Sequence, residues 1–425
     1  MQAPKAQILK SPLQKPLVAA ILAATGCGAF AQEAPATNYL GLRETVGRTS
    51  NVFVVPDGPH DYFYTTSLLG GLDKTYSRQR LYGTADVDLN RYHSATALNN
   101  TGYNVNGGWD WATIEKLSGS FTGSATKSLA SLSGNASIPT TERNLAKTDQ
   151  LAAIVRWGGE GLLSLEGSFG HSRVSYSDPA YITQESSADT SSLGGFYRVG
   201  PTLRLGLAGR FTRVYQPNAA PVAGGGGFQS ETTDGKNLDL TADWQYSVQT
   251  NVNARLSYTK QTFSGSTSGD GFSGLTGAIY ANYQPTGKLF FSAALLRDAG
   301  INATFFNVIG APTTTTGPTT STVSLSENSQ VTNTGVLGLR YLATAKIAGT
   351  LGYQYRNSKT DAADGTTTGT QNDKLQTVSL GLTYDFDRNW QLACNYSHQN
   401  RDVSGVGPFT YIVNMTSCSA QFLLR

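Results

Sequence analysis

The side chains with the clearest chemical potential in this sequence are arginines, carboxylates and tyrosines that recur at alternate positions between apolar residues. An Arg guanidinium pairs with a carboxylate through two parallel hydrogen bonds, and it can bind an acidic ligand in the same way. A tyrosine ring offers a sugar a flat surface. The set predicts either a mixed-charge wall braced by ion pairs or a path for polyhydroxylated or acidic polymers. Its members are Arg156, Arg204, Arg210, Arg255, Arg340, Arg356, Asp86, Asp88, Asp110, Glu166, Asp239, Asp243, Tyr82 and Tyr280.

Two segments of this sequence match part of a metal-binding or catalytic motif, but neither completes it. Asp86-Val87-Asp88-Leu89-Asn90 resembles the start of a calcium loop, yet Arg91 stands where the loop needs Gly and Ala97 where it needs Glu. The Ser124-Ala125-Thr126-Lys127 segment has S-x-x-K spacing, but it falls at a predicted strand end without the helix that would align Ser and Lys. The 4 histidines are scattered. We therefore predict a protein that is not an enzyme, with no catalytic residues, metal site or cofactor.

The elements that must position the charged residues are β-strands with two chemically different faces. In 203–211, Leu205 and Leu207 alternate with Arg204 and other polar or small residues, and 81–90, 237–246 and 378–386 repeat the pattern. This period of two predicts strands. Tight turns that follow an aromatic residue alternate with long loops rich in Gly, Ser, Thr and Asn. The pattern predicts an all-β fold, a closed antiparallel transmembrane β-barrel of about 18 strands, with short periplasmic turns and long extracellular loops.

Composition agrees with a barrel and excludes several other classes. Only 14% of the 425 residues are charged, whereas there are 47 Gly, 21 Tyr and 17 Phe. After the N-terminus no apolar run reaches the 18 or so residues that a transmembrane helix needs. A net charge of +3 is too small to indicate a nucleic-acid partner. A soluble β-sandwich also alternates, but its turns would not differ systematically in length between its two ends.

The first 31 residues are predicted to be a secretory signal peptide, and residues 32–425 a single barrel in the bacterial outer membrane. Basic residues precede an apolar stretch and an A-x-A cleavage site (Lys5, Lys10 and Lys15; residues 16–24; Ala29-Phe30-Ala31). A second interpretation is a lipoprotein signal with Cys27 as the lipidated residue. In both interpretations the product leaves the cytoplasm.

The hairpin ends are predicted from the turn and loop composition, with long loops that include 216–232, 358–372 and 400–409. The longest loop, 300–328, is rich in threonine. It is either a surface loop or a segment that folds inward as a constriction. Barrels of 16–18 strands enclose a space that side chains do not fill, so a water-filled passage is the expected consequence.

Two cysteines remain in the predicted mature chain, Cys394 and Cys418, and both fall on the predicted lipid face. If the last hairpin is symmetric about residue 406, they are direct cross-strand partners. Opposite residues of this kind have Cα atoms close enough for a disulfide. The alternative is a pair of free thiols packed against lipid, since a one-residue bulge would destroy this register.

Several stretches resemble one known family: residues 72–80 followed by Asn90-Arg91-Tyr92, Gly108-Trp109-Asp110-Trp111, Thr140-Thr141-Glu142-Arg143-Asn144 and the C-terminal 417–425. They are similar to the outer-membrane barrel proteins of exosortase-associated extracellular-polysaccharide transport systems, within a broader group of β-barrel porins. The ending differs from the common terminal aromatic, because Phe422 lies three residues inside. The resemblance implies polysaccharide export or a related passage role and no catalytic residues.

Three functions are therefore open at this stage. The first is a passive pore or conduit for exopolysaccharide export, driven from the inner membrane. The second is a solute-uptake porin for small sugars or ions. The third is a non-conducting scaffold barrel whose loops interact at the cell surface. The expected partners are outer-membrane lipid, polysaccharide or small solutes, and periplasmic components of a polysaccharide secretion system.

Overall fold

The strands follow the predicted alternation around a single sheet. The computed structural model describes residues 38–130, 142–158, 161–222, 226–265, 271–299, 330–364, 367–404 and 410–425. The strands are β1 (Asn38–Thr49), β2 (Asp61–Tyr76), β3 (Gln79–Tyr92), β4 (Asn100–Ala112), β5 (Leu117–Leu129), β6 (Leu145–Trp157), β7 (Leu163–Tyr176), β8 (Ser186–Arg198), β9 (Leu203–Pro221), β10 (Phe228–Ser247), β11 (Thr250–Gly265), β12 (Ser273–Thr286), β13 (Leu289–Ala299), β14 (Gln330–Leu342), β15 (Ile347–Asp364), β16 (Thr367–Asp385), β17 (Trp390–Ser404) and β18 (Tyr411–Leu424).

The sheet closes on itself. Each strand pairs antiparallel with its sequence neighbours, and β1 also pairs with β18. Leu40 opposite Leu424 and Thr49 opposite Met415 mark the two ends of this seam. A closed sheet leaves no strand edge, so the backbone N–H and C=O groups of every strand can pair with those of its neighbours. The hydrocarbon core of a membrane requires this, because it contains no water to bind unpaired groups. The prediction of a closed antiparallel barrel is confirmed, with 18 strands.

The outer surface carries an apolar band. Leu207 and Leu240 lie mid-strand and directly opposite each other, yet they are 57% and 55% exposed. Leucine exposed in the middle of a strand is typical of a face that contacts lipid. Aromatic residues border this band near the short turns and near the long loops; they include Trp109, Trp157, Tyr197, Trp244, Tyr246, Tyr283 and Trp390 at the first border and Tyr62, Tyr64, Tyr215 and Tyr258 at the second. Within the described residues, no helix is long and apolar enough to cross a membrane.

The two ends of the barrel differ as predicted. Two-residue turns at 77–78, 248–249 and 287–288 connect strands at one end, where β1 begins and β18 ends. At the other end, β1 and β2 are joined by residues 50–60, and β3 and β4 by residues 93–99, which include a short 3-10 helix at Thr96–Leu98. Short turns face the periplasm in bacterial barrels, so the longer loops are extracellular.

Two predicted long loops are mostly strand. Residues 216–232 and 358–372 were predicted to be loops, but β9 and β10 pair out to Pro221 and Phe228, and β15 and β16 pair out to Asp364 and Thr367. The first segment is rich in Gly, Ala and Pro and the second in Thr, and both compositions are typical of loops. A β-branched threonine nevertheless fits a pleated ladder well. These hairpins are therefore longer than the span that a membrane requires.

Three predictions fall outside the described residues. They concern the signal peptide at 1–31, the lipidation of Cys27 and the inward folding of the 300–328 loop. Each stays a prediction.

The last hairpin joins the two cysteines. Cys394 and Cys418 are direct register partners, their Cα atoms are 4.1 Å apart and their sulfur atoms are bonded to each other. Both residues lie on the outer face with their neighbours Leu392 and Tyr396. The geometry is that of the disulfide alternative rather than of two free thiols.

We predict that alkylation of the unfolded protein without reductant will leave Cys394 and Cys418 unmodified, and that reduction will add two alkyl groups, as read by intact mass. Replacing both by Ser should lower the free energy of unfolding by about 3 kcal/mol, because a closed loop of this length is released in the unfolded chain. Two adducts without reductant would contradict the bond.

We also predict that Leu207→Arg, at the middle of the outward apolar run of β9, will lower the free energy of unfolding by about 2–4 kcal/mol. The matched change Leu203→Arg, at the membrane border, should cost about 0–1 kcal/mol. Denaturant titration of the barrel in phospholipid vesicles measures both. Equal costs would show that the two positions do not lie at different membrane depths.

Candidate functional site on the inner wall of the barrel

The predicted pore-lining residues all lie on strand positions that alternate with the exposed apolar residues, and they therefore project to the inner face. The pattern is clear on β9, where Arg204 and Arg210 alternate with the outward Leu205, Leu207 and Phe211. The structure gathers most of these residues into separate charge networks around the wall.

The first network lies near the short turns. Arg156 on β6 donates a hydrogen bond from Nε to Oε2 of Glu166 on β7. Arg204 on β9 reaches the same carboxylate at 3.5 Å and Asp243 on β10 at 3.5 Å. Asn253 on β11 donates to Asp243 at 2.8 Å. Alternating charges thus run along the wall from β6 to β10, and Asn253 extends the network to β11.

A small residue allows Arg204 to serve both carboxylates. The Phe196 ring of β8 lies against the wall over Gly206, where a Cβ would come within 2.3 Å of the ring. The guanidinium of Arg204 lies 3.8 Å from the centre of that ring. This is a cation–π geometry. Gly206 therefore lets Phe196 lie flat, and Phe196 supports the arginine between Glu166 and Asp243.

The second network lies on the same side of the barrel, nearer to the long loops. Arg210 forms a two-pronged pair with Asp239, with distances of 2.8 and 3.2 Å, and Asp239 is only 4% exposed. Arg255 interacts electrostatically with Asp239 and with Asp298 of β13, and Tyr280 lies close to Arg255. Asp298 was missed by sequence reasoning because it borders the Thr-rich segment. Its alternation with the outward Leu295 was the available signal.

The third network joins β15, β16 and β17. Arg401 donates to both oxygens of Asp373 at 2.9 and 2.7 Å, and Arg356 approaches the same carboxylate at 3.6 Å. Arg401 is 3% exposed and its guanidinium lies 5.9 Å from the centre of the Tyr411 ring. Only Arg356 was predicted. Asp373 and Arg401 lie at the borders of segments that composition assigned to loops.

The fourth group lies on β1–β4, across the barrel from the second. Arg43 is 3.7 Å from Asp88, and Asn104 donates to Asp86 at 3.1 Å. These contacts assign Asp86 and Asp88 to the wall rather than to a calcium loop. Within the described residues, no group of three or more His, Cys, Asp or Glu residues could hold a metal ion.

Nearer the short turns, Arg80 pairs with both oxygens of Asp73 at 2.9 and 2.6 Å and lies 3.9 Å from Asp110. Its guanidinium is 4.8 Å from the centre of the Tyr82 ring. A Cβ at Gly108 would come within 2.4 Å of that ring, so Tyr82 lies against the wall. Arg80 and Gly108 therefore take up part of the ring surface predicted for sugars. Arg340, on β14, interacts electrostatically with Asp385.

A carboxylate and an apolar cluster help to hold the extracellular rim. Asp61 accepts backbone hydrogen bonds from Tyr62 at 2.8 Å, Ser94 at 3.0 Å and Ala95 at 2.8 Å. Burial favours the protonated form, but these hydrogen bonds together hold the pKa of Asp61 below its usual value. The cluster consists of Val52, Phe63, Tyr92, Leu98 and Leu129. It fixes the 50–60 and 93–99 loops to the wall.

Comparison with known proteins identifies no family for this chain. No protein-family model matches, and no curated protein is a significant match. The OccK1 (OpdK) protein of Pseudomonas aeruginosa is 12% identical over 91% of this chain and 98% of that chain, with a TM-score of 0.44. OpdO of the same species is 11% identical over 91% and 96%, with a TM-score of 0.42. The alcaligin outer-membrane receptor FauA of Bordetella pertussis is 7% identical over 92% and 77%, with a TM-score of 0.39.

The placement of this chain in an outer membrane rests on its own features. A closed antiparallel sheet with an apolar outer band, aromatic borders and a polar inner face is the form in which β-strands cross the bacterial outer membrane.

We predict that Asp373→Asn will lower the free energy of unfolding by about 3–5 kcal/mol, because it leaves the buried Arg401 and the adjacent Arg356 without their shared counter-ion. Asp402→Asn is the matched control, since Asp402 lies on the outer, exposed side of β17. It should change stability by less than about 0.5 kcal/mol. Denaturant titration in vesicles reads both, and similar effects from the two would contradict the network.

Proposed function

We propose that this chain is a passive outer-membrane channel, and that its cargo is an exported, largely uncharged or weakly acidic polysaccharide. The observation that carries the proposal is the chemistry of the inner wall, where arginines and carboxylates are arranged in pairs rather than in patches of one sign. An 18-stranded barrel is wide enough that side chains on its wall do not fill the lumen.

Paired charges suit a hydroxylated cargo. A guanidinium has five N–H donors and a carboxylate about four lone-pair sites, so a two-pronged Arg–Asp pair still offers donors and acceptors to passing hydroxyl groups. Because opposite charges lie within a few ångströms, the wall presents little net field to hold or exclude ions. Such a surface favours weak, repeated contacts, which a long polymer needs in order to keep moving.

The export direction and the polymer class also rest on the family resemblance of the sequence. Under this proposal the driving force comes from an inner-membrane polymerisation system, and the short turns face its periplasmic components. The barrel itself contributes a hydrated path and takes no part in bond making.

A second candidate is uptake of small sugars or ions. The observation that favours it is the rim, where Val52, Phe63, Tyr92 and Leu98 pack the 50–60 and 93–99 loops against the inner wall. These loops occupy part of the extracellular mouth. A narrowed mouth suits solutes smaller than a polymer chain.

Planar-bilayer recording of the purified protein tests the channel and separates the two cargoes. We expect stable conductance. Neutral dextrans added from the periplasmic side should block it, and each blockage should last longer as the dextran chain becomes longer. Conductance blocked only by mono- and disaccharides would favour uptake of small solutes. No conductance under any condition would overturn the channel and leave the scaffold alternative.

We predict that Arg204→Gln will make the conductance more cation-selective, because it leaves Glu166 and Asp243 without their shared cation. Reversal potentials in a salt gradient measure this change. Arg213→Gln is the matched control, since Arg213 lies on the outer face and pairs there with Asp234 at 2.8 Å. An equal shift in both variants would show that Arg204 does not face the conducting path.

A further inference from the structure

The outer surface of β8–β11 has a groove where a large side chain is missing. Gly209 on β9 faces outward, and a Cβ there would meet no heavy atom within 4 Å. The surrounding walls are formed by Leu193, Phe211, Leu238 and Tyr258, and the groove has a volume of about 670 Å³. It lies within the lipid-facing band, so hydrocarbon is the chemistry that fits it.

Two lysines stand at the upper end of this groove. Lys236 on β10 and Lys260 on β11 are direct cross-strand partners, and both are exposed on the outer face. The next outward residues towards the membrane centre are Leu238 and Tyr258, so the lysines mark the level at which the apolar surface ends. Like charges directly opposite each other destabilise a strand pair. An anion held between them would relieve this repulsion.

The barrel supplies no such anion from the described residues. No salt bridge links a carboxylate to Lys236 or Lys260, and the next outward residue of β10, Asp234, is held by Arg213 at 2.8 and 3.2 Å. Another outward lysine pair, Lys127 opposite Lys147, is different, because Asp149 lies 2.9 Å from the Lys147 ammonium.

We propose that Lys236, Lys260 and the Gly209 groove bind a phosphorylated lipid of the outer leaflet, with a phosphate between the two ammonium groups and an acyl chain along Gly209. The site lies at the long-loop end, which faces outside. The phosphorylated lipid of that leaflet in an outer membrane is the lipid A part of lipopolysaccharide. Its phosphates complement the lysines in charge, and its acyl chains complement the groove.

Native mass spectrometry of the folded barrel in detergent, titrated with diphosphorylated lipid A, tests the site. Each lysine near an anionic headgroup is worth about a fivefold change in affinity, so Lys236→Gln/Lys260→Gln should weaken the tightest binding event by about 30-fold. Lys288→Gln/Lys346→Gln removes the same charge from short turns at the other end and should leave affinity unchanged. Heat-dependent gel mobility confirms that each variant is folded.

Two further arms separate headgroup from chain. Lipid A stripped of its phosphates should bind the unaltered protein about as weakly as diphosphorylated lipid A binds the double variant. Gly209→Leu keeps both lysines, fills the groove and should weaken binding several-fold. Unchanged affinity in Lys236→Gln/Lys260→Gln, or equal affinity for the two lipids, would overturn the phosphate site. Unchanged affinity in Gly209→Leu would overturn the seating of the acyl chain.

Discussion

The rest of this structure depends on the requirement that every backbone amide inside a membrane must find a hydrogen-bond partner. A sheet can meet it only by pairing its first strand with its last, as β1 does with β18. Closure fixes which face of each strand meets lipid and which meets the lumen. The alternation of Leu and Arg along β9 is therefore a consequence of closure, and so is the placement of ion pairs inside.

Side-chain placement on the two faces was predictable from sequence because the period of a strand is two. Arg204 could be assigned to the lumen simply because Leu205 and Leu207 had to face lipid. The ends of the strands were less predictable. Beyond the membrane no lipid enforces alternation, and polar hairpins such as β15–β16 continue on ladder bonds alone, so Asp373 and Arg401 were missed at segments whose composition is typical of loops.

The partners within the wall were also beyond sequence reasoning. Ion pairs form between strands that are adjacent in the barrel but at heights set by the register, and composition does not give that register. The shared role of Arg204 depends further on Gly206, whose missing side chain makes room for Phe196. Gly206 and Phe196 carry no charge, so charged motifs in the sequence do not point to them.

The bond between Cys394 and Cys418 acts on the seam as well as on its own hairpin. Slipping a strand by one residue would exchange its lipid and lumen faces. The covalent link joins residues that are directly opposite each other, so it fixes the register of β18 against β17. The barrel closes where β1 pairs with β18, with Leu42 opposite Phe422 and Arg43 opposite Gln421. The disulfide therefore also helps to set the register of the strand pair that closes the barrel.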